Sequence, residues 1–352
     1  NLLGLGEVVD GTFSKKGNVK ETAVGLAQVS ARLPRPGGFG ADVEMEARRE
    51  DVDHRKTSSF HANVQSLACR ARSLDGEHCL RAEAAWRELS PTAHPSIPLA
   101  AAASAEVVRE CLAPSLLTAL GYSFHRDRRD MQHGVPVAGS MVSTDLQLAV
   151  APGDARHLKL SSRAERHWLL ARPYMGAPVG PTAALLGESG LMFPWVAGNR
   201  SVPLIGSSSN SSSILDRFHL GGARNLRGFA EDGVGPRAEP SSGGLVFGDA
   251  LGGDLKLLAS AMLSTPVPAP ALAEAGIRAT ASLRAGLLGS RVPTDAGDFF
   301  KLSHLVRSTV SLGLCVPVNQ GAILELSCAK PLTSQPQDRG EQWQLSIGLG
   351  LG

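Results

Sequence analysis

Apolar and polar residues alternate along most of this chain. Ile277, Ala279, Ala281, Leu283, Ala285 and Leu287 are apolar, while Arg278, Thr280, Ser282, Arg284 and Gly286 between them are polar or small. A period of two puts the two sets on opposite faces of a strand. Val306, Val310, Leu312, Leu314 and Val316 stand in the same way against Arg307, Thr309, Ser311 and Gly313, and Trp343, Leu345, Ile347, Leu349 and Leu351 against Gln344, Ser346, Gly348 and Gly350. Earlier in the chain Val43, Met45 and Ala47 alternate with Glu44, Glu46 and Arg48, and Leu158, Leu160, Ala164 and Trp168 with Lys159, Arg163, Glu165 and His167.

The pattern predicts about fifteen strands of roughly the 9 to 11 residues that a tilted strand needs to cross a bilayer. They cover residues 21–32, 41–50, 58–69, 79–89, 100–111, 115–127, 137–150, 157–170, 183–194, 217–229, 254–267, 276–287, 305–318, 321–332 and 343–351. One more strand would complete an even-numbered barrel of about sixteen. A soluble sandwich would alternate too, but its polar face meets water and is dense in charge. Here one face is Leu, Val and Ala and the other mixes Arg, Glu, Ser and Gly, as lipid-facing and lumen-facing sides do. The fold expected is therefore all-β, a transmembrane antiparallel β-barrel.

Composition narrows the function rather than the fold. The 352 residues suit a single large barrel, and 35 basic against 33 acidic residues leave too weak a field for nucleic acid as a partner. The longest apolar stretch, 97–108, is short and broken by Ser104 and Glu106, so no spanning helix is expected. Cys69, Cys79, Cys111, Cys315 and Cys328 are scattered, with no Cys-x-x-Cys pair, which disfavours disulfides and zinc. Neither a nucleophile elbow, a phosphate-binding loop nor a His-Glu-x-x-His motif occurs, so no catalytic residue, metal or cofactor is expected and the chain reads as a non-enzyme. His125, His157 and His167 fall where polar lumen lining is the expectation. Trp86, Trp168, Trp195 and Trp343 lie near strand ends and supply a thin aromatic girdle.

Two stretches break the alternation. Residues 206–213 are rich in Ser and Asn, and 231–253 in Gly, Pro and Ser, which reads as a long loop between strands. A loop of that length inside a compact fold is usually functional.

Asp216-Arg-Phe-His-Leu-Gly-Gly-Ala-Arg-Asn-Leu-Arg-Gly-Phe229, then Gly248-Asp-Ala-Leu-Gly-Gly-Asp254, then a strand ending Ser264-Thr-Pro266, resemble the signature of the BamA-type outer-membrane assembly superfamily. Leu226-Arg227-Gly228-Phe229 matches its (Val/Ile/Leu)-Arg-Gly-(Phe/Tyr) motif. Cys315 to Val318, Ile323-Leu-Glu-Leu-Ser-Cys328 and the closing strand, with Ala85-Trp-Arg-Glu-Leu89 and Arg126-Asp-Arg128 upstream, are similar to the family of central barrel subunits of the mitochondrial sorting and assembly machinery.

The resemblance implies an inward-folded loop carrying Leu226, Arg227, Gly228 and Phe229, with Arg227 held by an acid; Asp249, Asp254 and Glu325 are the candidates. It implies residues 1–19 as a remnant of an N-terminal polypeptide-transport-associated domain or a linker, and 20–352 as the barrel. The implied function is insertion of unfolded β-barrel precursors into the mitochondrial outer membrane through a lateral gate between first and last strands. Thr22, Val24, Leu26 and Gln28 would form one edge of that gate, and Gln344, Ser346, Gly348 and Gly350 the other. Gly348, Gly350 and Gly352 would weaken cross-strand packing in the last strand. Accessory subunits and outer-membrane lipids are the implied partners. The alternative is a polypeptide-conducting pore of the same superfamily, of the two-partner secretion or chloroplast import type, in a bacterial or plastid outer membrane. Gln344, Leu349 and Leu351 also match the targeting signal of barrel precursors, with Ser346 at its glycine position.

Overall fold

The computed structural model describes residues 10–14, 25–33, 40–92, 102–194, 212–240, 244–293, 302–319 and 322–349. They contain fourteen strands in one sheet. In chain order these are β1 (Asp10–Ser14), β2 (Gly25–Leu33), β3 (Ala41–Asp53), β4 (Phe60–Ser73), β5 (His78–Pro91), β6 (Ser115–Gln132) and β7 (Val135–Ala149). Then come β8 (His157–Leu169), β9 (Thr182–Pro194), β10 (Leu255–Pro266), β11 (Arg278–Gly289), β12 (Arg307–Asn319), β13 (Ala322–Thr333) and β14 (Trp343–Leu349). Each strand pairs antiparallel with its neighbour in sequence, so the sheet is one uninterrupted meander from β1 to β14. A two-residue connection joins β6 to β7 through His133 and Gly134, with φ of 49° and 75°; two left-handed residues are what a hairpin turn matched to strand twist requires.

Burial along the strands is the reverse of a soluble protein's. On β12, Arg307, Thr309 and Ser311 are buried, Arg307 to 1% exposure, while Leu312 between them and the end of the strand is 66% exposed. On β11 Arg278, Thr280, Ser282 and Arg284 are buried and Leu283 is exposed. On β14 Gln344 is buried while Trp343 and Leu345 stand out, and on β5 Arg87 is buried while Leu80 and Trp86 are exposed. Water would penalise an apolar face of this extent, and lipid accepts it. Pairing of each strand with its sequence neighbours also satisfies backbone N–H and C=O groups where no water can, among the described residues everywhere but at the outer edges of β1 and β14. The chain is a transmembrane antiparallel β-barrel, as its alternation indicates.

Several expected elements fall elsewhere. Residues 102–111, the described part of the strand expected at 100–111, hold no strand; Ala105–Glu110 is a short helix, α1, with the Ser104 hydroxyl 3.4 Å from the Val107 N–H as its cap. A second short helix, α2 (Pro270–Glu274), lies in the β10–β11 connection. Residues 217–229 are irregular and form no strand, with isolated bridges to other loop segments such as Phe218 to Gly253 and Leu220 to Val234. Gly221 and Gly222, with φ of 128° and 89°, turn the chain there out of any extended run.

The largest correction concerns the first strand. The segment expected to open the barrel is β2, and it is paired on both sides. Leu26 lies opposite Ser14 of β1 and Glu50 of β3, and Gln28 opposite Thr12 and Arg48. These two are thus internal to the sheet, while Thr22, Val24 and Gly350 lie outside the described residues. Among the described residues the edge strand is β1, which lies upstream of the expected boundary between residues 19 and 20. Five residues with Phe13 as their one large apolar side chain give no readable alternation.

Candidate functional site

The connection between β9 and β10, residues 195–254, lies with its described part against the polar face of the sheet. Its sequence explains this. Leu220, Leu226, Phe229 and Val234 need cover, and they close on Leu258 of β10 and Leu288 of β11 in one buried cluster. Burying four such side chains is worth several kcal/mol. The polar groups of the loop must then be satisfied inside the barrel.

The Leu226-Arg227-Gly228-Phe229 segment is bound by β11, β13 and β14. Arg227 donates from Nη2 to the carboxylate of Glu325 on β13 and from Nε to the Ala223 carbonyl, 3.2 Å away. The Thr280 hydroxyl of β11 reaches the other Glu325 oxygen at 3.3 Å. Arg284 of β11 donates to the carbonyls of Arg224 at 3.1 Å and Asn225 at 2.5 Å, just ahead of the motif. Gln344 of β14 bonds the motif twice: its Oε1 accepts from the Gly228 N–H at 3.1 Å and its Nε2 donates to the Phe229 carbonyl at 2.6 Å. The β13–β14 connection adds backbone bonds, Glu341 N–H to Gly228 carbonyl at 3.0 Å and Ala230 N–H to Arg339 carbonyl at 2.8 Å. Gly228 has a φ of 85°, and a Cβ there would come within 3.4 Å of Ala329 and Pro331. A short, left-handed residue is what lets the backbone lie this close to β13.

The start of the loop is tied to the opposite wall. Asp216 accepts from Arg87 of β5 at 2.8 Å, and its carbonyl accepts from Lys159 of β8 at 2.6 Å. The Lys159 ammonium also lies 4.7 Å from the centroid of the Phe218 ring. Arg217 reaches Glu110, the last residue of α1, at 2.9 Å. The loop therefore spans the lumen from β5 and β8 to β13 and β14.

Of the three acids open to Arg227, Glu325 is the one it meets. Asp249 instead accepts from the Ser104 N–H at 2.7 Å, and Asp254 from the Ser212 hydroxyl at 2.6 Å. Gln344, expected at a strand edge, points inward and holds the loop. Ser346 pairs in register with Glu325 and lines a lumenal cavity of about 820 Å³ beside Arg224, Arg227 and Arg278. Gly348 lies opposite Ile323. Sequence reasoning missed Arg87, Asp216 and Arg284 as loop anchors. Asp216 opens the motif-bearing run and Arg87 sits in Ala85-Trp-Arg-Glu-Leu89, but their pairing across 129 positions has no local signal.

A β-meander with its apolar side chains outward and an arginine-bearing loop bound across its polar lumen defines a transmembrane β-barrel with a loop anchored inside it. A model of the Omp85 superfamily domain matches residues 1–350, and the chain belongs to that superfamily. It is 28% identical to a SAM50-like protein of Schizosaccharomyces pombe over 85% of this chain and 57% of that one. It is 27% identical to the sorting and assembly machinery component 50 homolog of Homo sapiens over 96% of this chain and 65% of that one. The chain thus spans about three fifths of the length of these relatives. The solved structure of BamA from Haemophilus ducreyi lacking POTRA domains 1–3 superposes with a TM-score of 0.70 at 16% identity, covering 92% of this chain and 62% of that one, a likeness of fold. Likeness to the sorting and assembly homologues makes this a barrel of the mitochondrial outer membrane.

Proposed function

We propose that this barrel inserts β-barrel precursors into the mitochondrial outer membrane by letting an incoming strand pair at the seam between β1 and β14. The observation that carries the reading is the state of β14. Over the described residues it is seven residues long and laddered on one side only, to β13, and it has its inward side chain Gln344 bonded to Gly228 and Phe229. Among the described residues no ladder joins it to β1, itself five residues long, whereas β4 to β9 run to 13 residues or more. An edge strand with free N–H and C=O groups is a template for another strand, a hazard that soluble proteins suppress and an insertase would use. The described gate residues on this reading are Thr12 and its neighbours on β1 with Ser346 and Gly348 on β14.

Relatives named as sorting and assembly components support a multi-subunit setting, so accessory subunits join precursors and lipid as proposed partners. The pore reading is weaker, because conduction would require the loop to leave contacts that cross the lumen from Arg87 to Glu325. Site-specific photocrosslinking from β1 and β14 to a radiolabelled precursor arrested during assembly separates the two. Adducts at both edges support templated insertion. Adducts confined to lumenal positions such as Arg278 and Arg284 would replace it with a conducting pore.

A further inference from the structure

The outer face of β6, β7 and β8 changes character along its length. On β5 and β6 the rows Trp86–Leu116, Ala82–Leu120 and Leu80–Tyr122 are lipid-facing, and the last row before the connection at 74–77 is His78–Phe124. From Leu116 to Phe124 is about the nine residues that cross a bilayer at a tilt. β6 continues for eight more residues, paired only with β7, so the β6–β7 hairpin stands beyond its β5 neighbour at this end. Its first two outward positions there, Arg126 and Arg128, are basic. Arg126 is paired to Glu77 at 2.6 Å. The next outward position is Arg128, and register sets Arg128 opposite Ser140 of β7, which lies opposite Arg166 of β8.

Arg128, Ser140 and Arg166 therefore form one row on the outer face. Across two strand spacings their outer Cα atoms lie roughly 10 Å apart. Both arginines are exposed, and among the described residues neither has an acid within ion-pair distance. Asp130, the next outward residue on β6, is engaged by the Gln132 amide at 3.4 Å. The Arg166 guanidinium lies 6.0 Å from the centroid of the exposed Trp168 ring, and tryptophan favours the boundary between acyl chains and headgroups. Two unpaired guanidiniums flanking a hydroxyl, at the rim of an apolar wall and beside an interfacial indole, match a phosphate ester whose acyl chains lie along that wall.

We propose that Arg128, Ser140 and Arg166 form a binding site for the headgroup of an anionic phospholipid on the outer face of the barrel, at the end where β6 turns into β7. The site is independent of how precursors are handled, so it stands or falls separately from the insertion reading.

The test uses the full chain reconstituted in phosphatidylcholine vesicles carrying a small fraction of photoactivatable phosphatidylglycerol, with adducts mapped by mass spectrometry. Adducts should concentrate around Arg128, Ser140 and Arg166, exceed those formed by photoactivatable phosphatidylcholine, and fall with added salt. Each arginine is expected to contribute about fivefold in occupancy. Arg128→Gln with Arg166→Gln should remove the enrichment while adducts near Leu120 and Leu148 stay constant. Arg128→Lys with Arg166→Lys should keep part of it, and unchanged heat-modifiable gel migration will show that each variant folds. Equal labelling of wild type and the double glutamine variant, or equal labelling by the two lipids, overturns the proposal. So does a patch that labels with neither lipid but is shielded from phenylglyoxal by an added soluble protein, which would make it a protein-docking face.

Discussion

Gln344 clamps Gly228 and Phe229 from both sides of one peptide unit, accepting from the Gly228 N–H at 3.1 Å and donating to the Phe229 carbonyl at 2.6 Å. The strand at the open edge of the sheet and the motif of the long loop are thus parts of one hydrogen-bonded unit. A displacement of either must break or carry the other.

Gln344→Leu keeps the volume and deletes both bonds, stranding the buried Gly228 N–H, while the Phe229 carbonyl keeps its bond from the Gly222 N–H at 3.0 Å. It should destabilise the loop by about 1–3 kcal/mol and speed hydrogen exchange of β14 amides above those of β12. Exchange that is unchanged in β14 would show that the clamp does not hold the edge strand.

Arg227→Ala leaves the Glu325 carboxylate without its cation inside the lumen and should cost about 3 kcal/mol of barrel stability, with reduced precursor insertion. Glu325→Gln keeps a hydrogen-bond acceptor and should cost less. A double-mutant cycle on denaturant unfolding should give a coupling above about 1 kcal/mol; additive costs would mean that the pair is solvated and contributes little.

Much of this was legible in advance. Alternation located β11, β12 and β14, because their faces differ in polarity at every step. Residues 100–111 read as a strand because Ala-rich sequence fits either form; the Ser104 cap, with Glu106 in the first turn, was the helix signal available. Residues 217–229 also alternate, and the Gly221-Gly222 pair was the sign that they bend. The partner of Arg227 was not legible, since Glu325 lies 98 positions away and only the loop's path through the lumen selects it over Asp249 and Asp254.

Gly221 has a φ of 128°, and a Cβ built there would collide with the Ala230 carbonyl oxygen. Gly221→Ala should therefore dislodge the turn before the motif, costing about 1–3 kcal/mol in strain and raising protease cleavage within residues 217–240. A fully protected loop would show that the backbone relaxes elsewhere.

A disulfide between cysteines placed on β1 and on β14, in a background free of the five native cysteines, should abolish precursor insertion and leave barrel stability unchanged or higher. Insertion that persists when the pair is oxidised would remove the seam from the mechanism.

Burial of the Cys111 thiol at the end of α1 pushes it up to about 11. The thiolate is the reactive form, so maleimide labelling of Cys111 should be slow at neutral pH and rise by about an order of magnitude per pH unit towards that value. Rapid labelling at pH 7 would mean that the helix opens readily from Phe60 and Leu89, against which Val107 packs.

The inverted burial of the strands also acts as a proofreading device during the protein's own assembly. Sliding β11 by one residue against β10 would turn Arg284 into the acyl chains, where an arginine costs about 2–4 kcal/mol near the bilayer centre, and would turn Leu283 into the wet lumen. Each misaligned hairpin is thus rejected by the lipid itself, so the bilayer selects the correct pairing strand by strand.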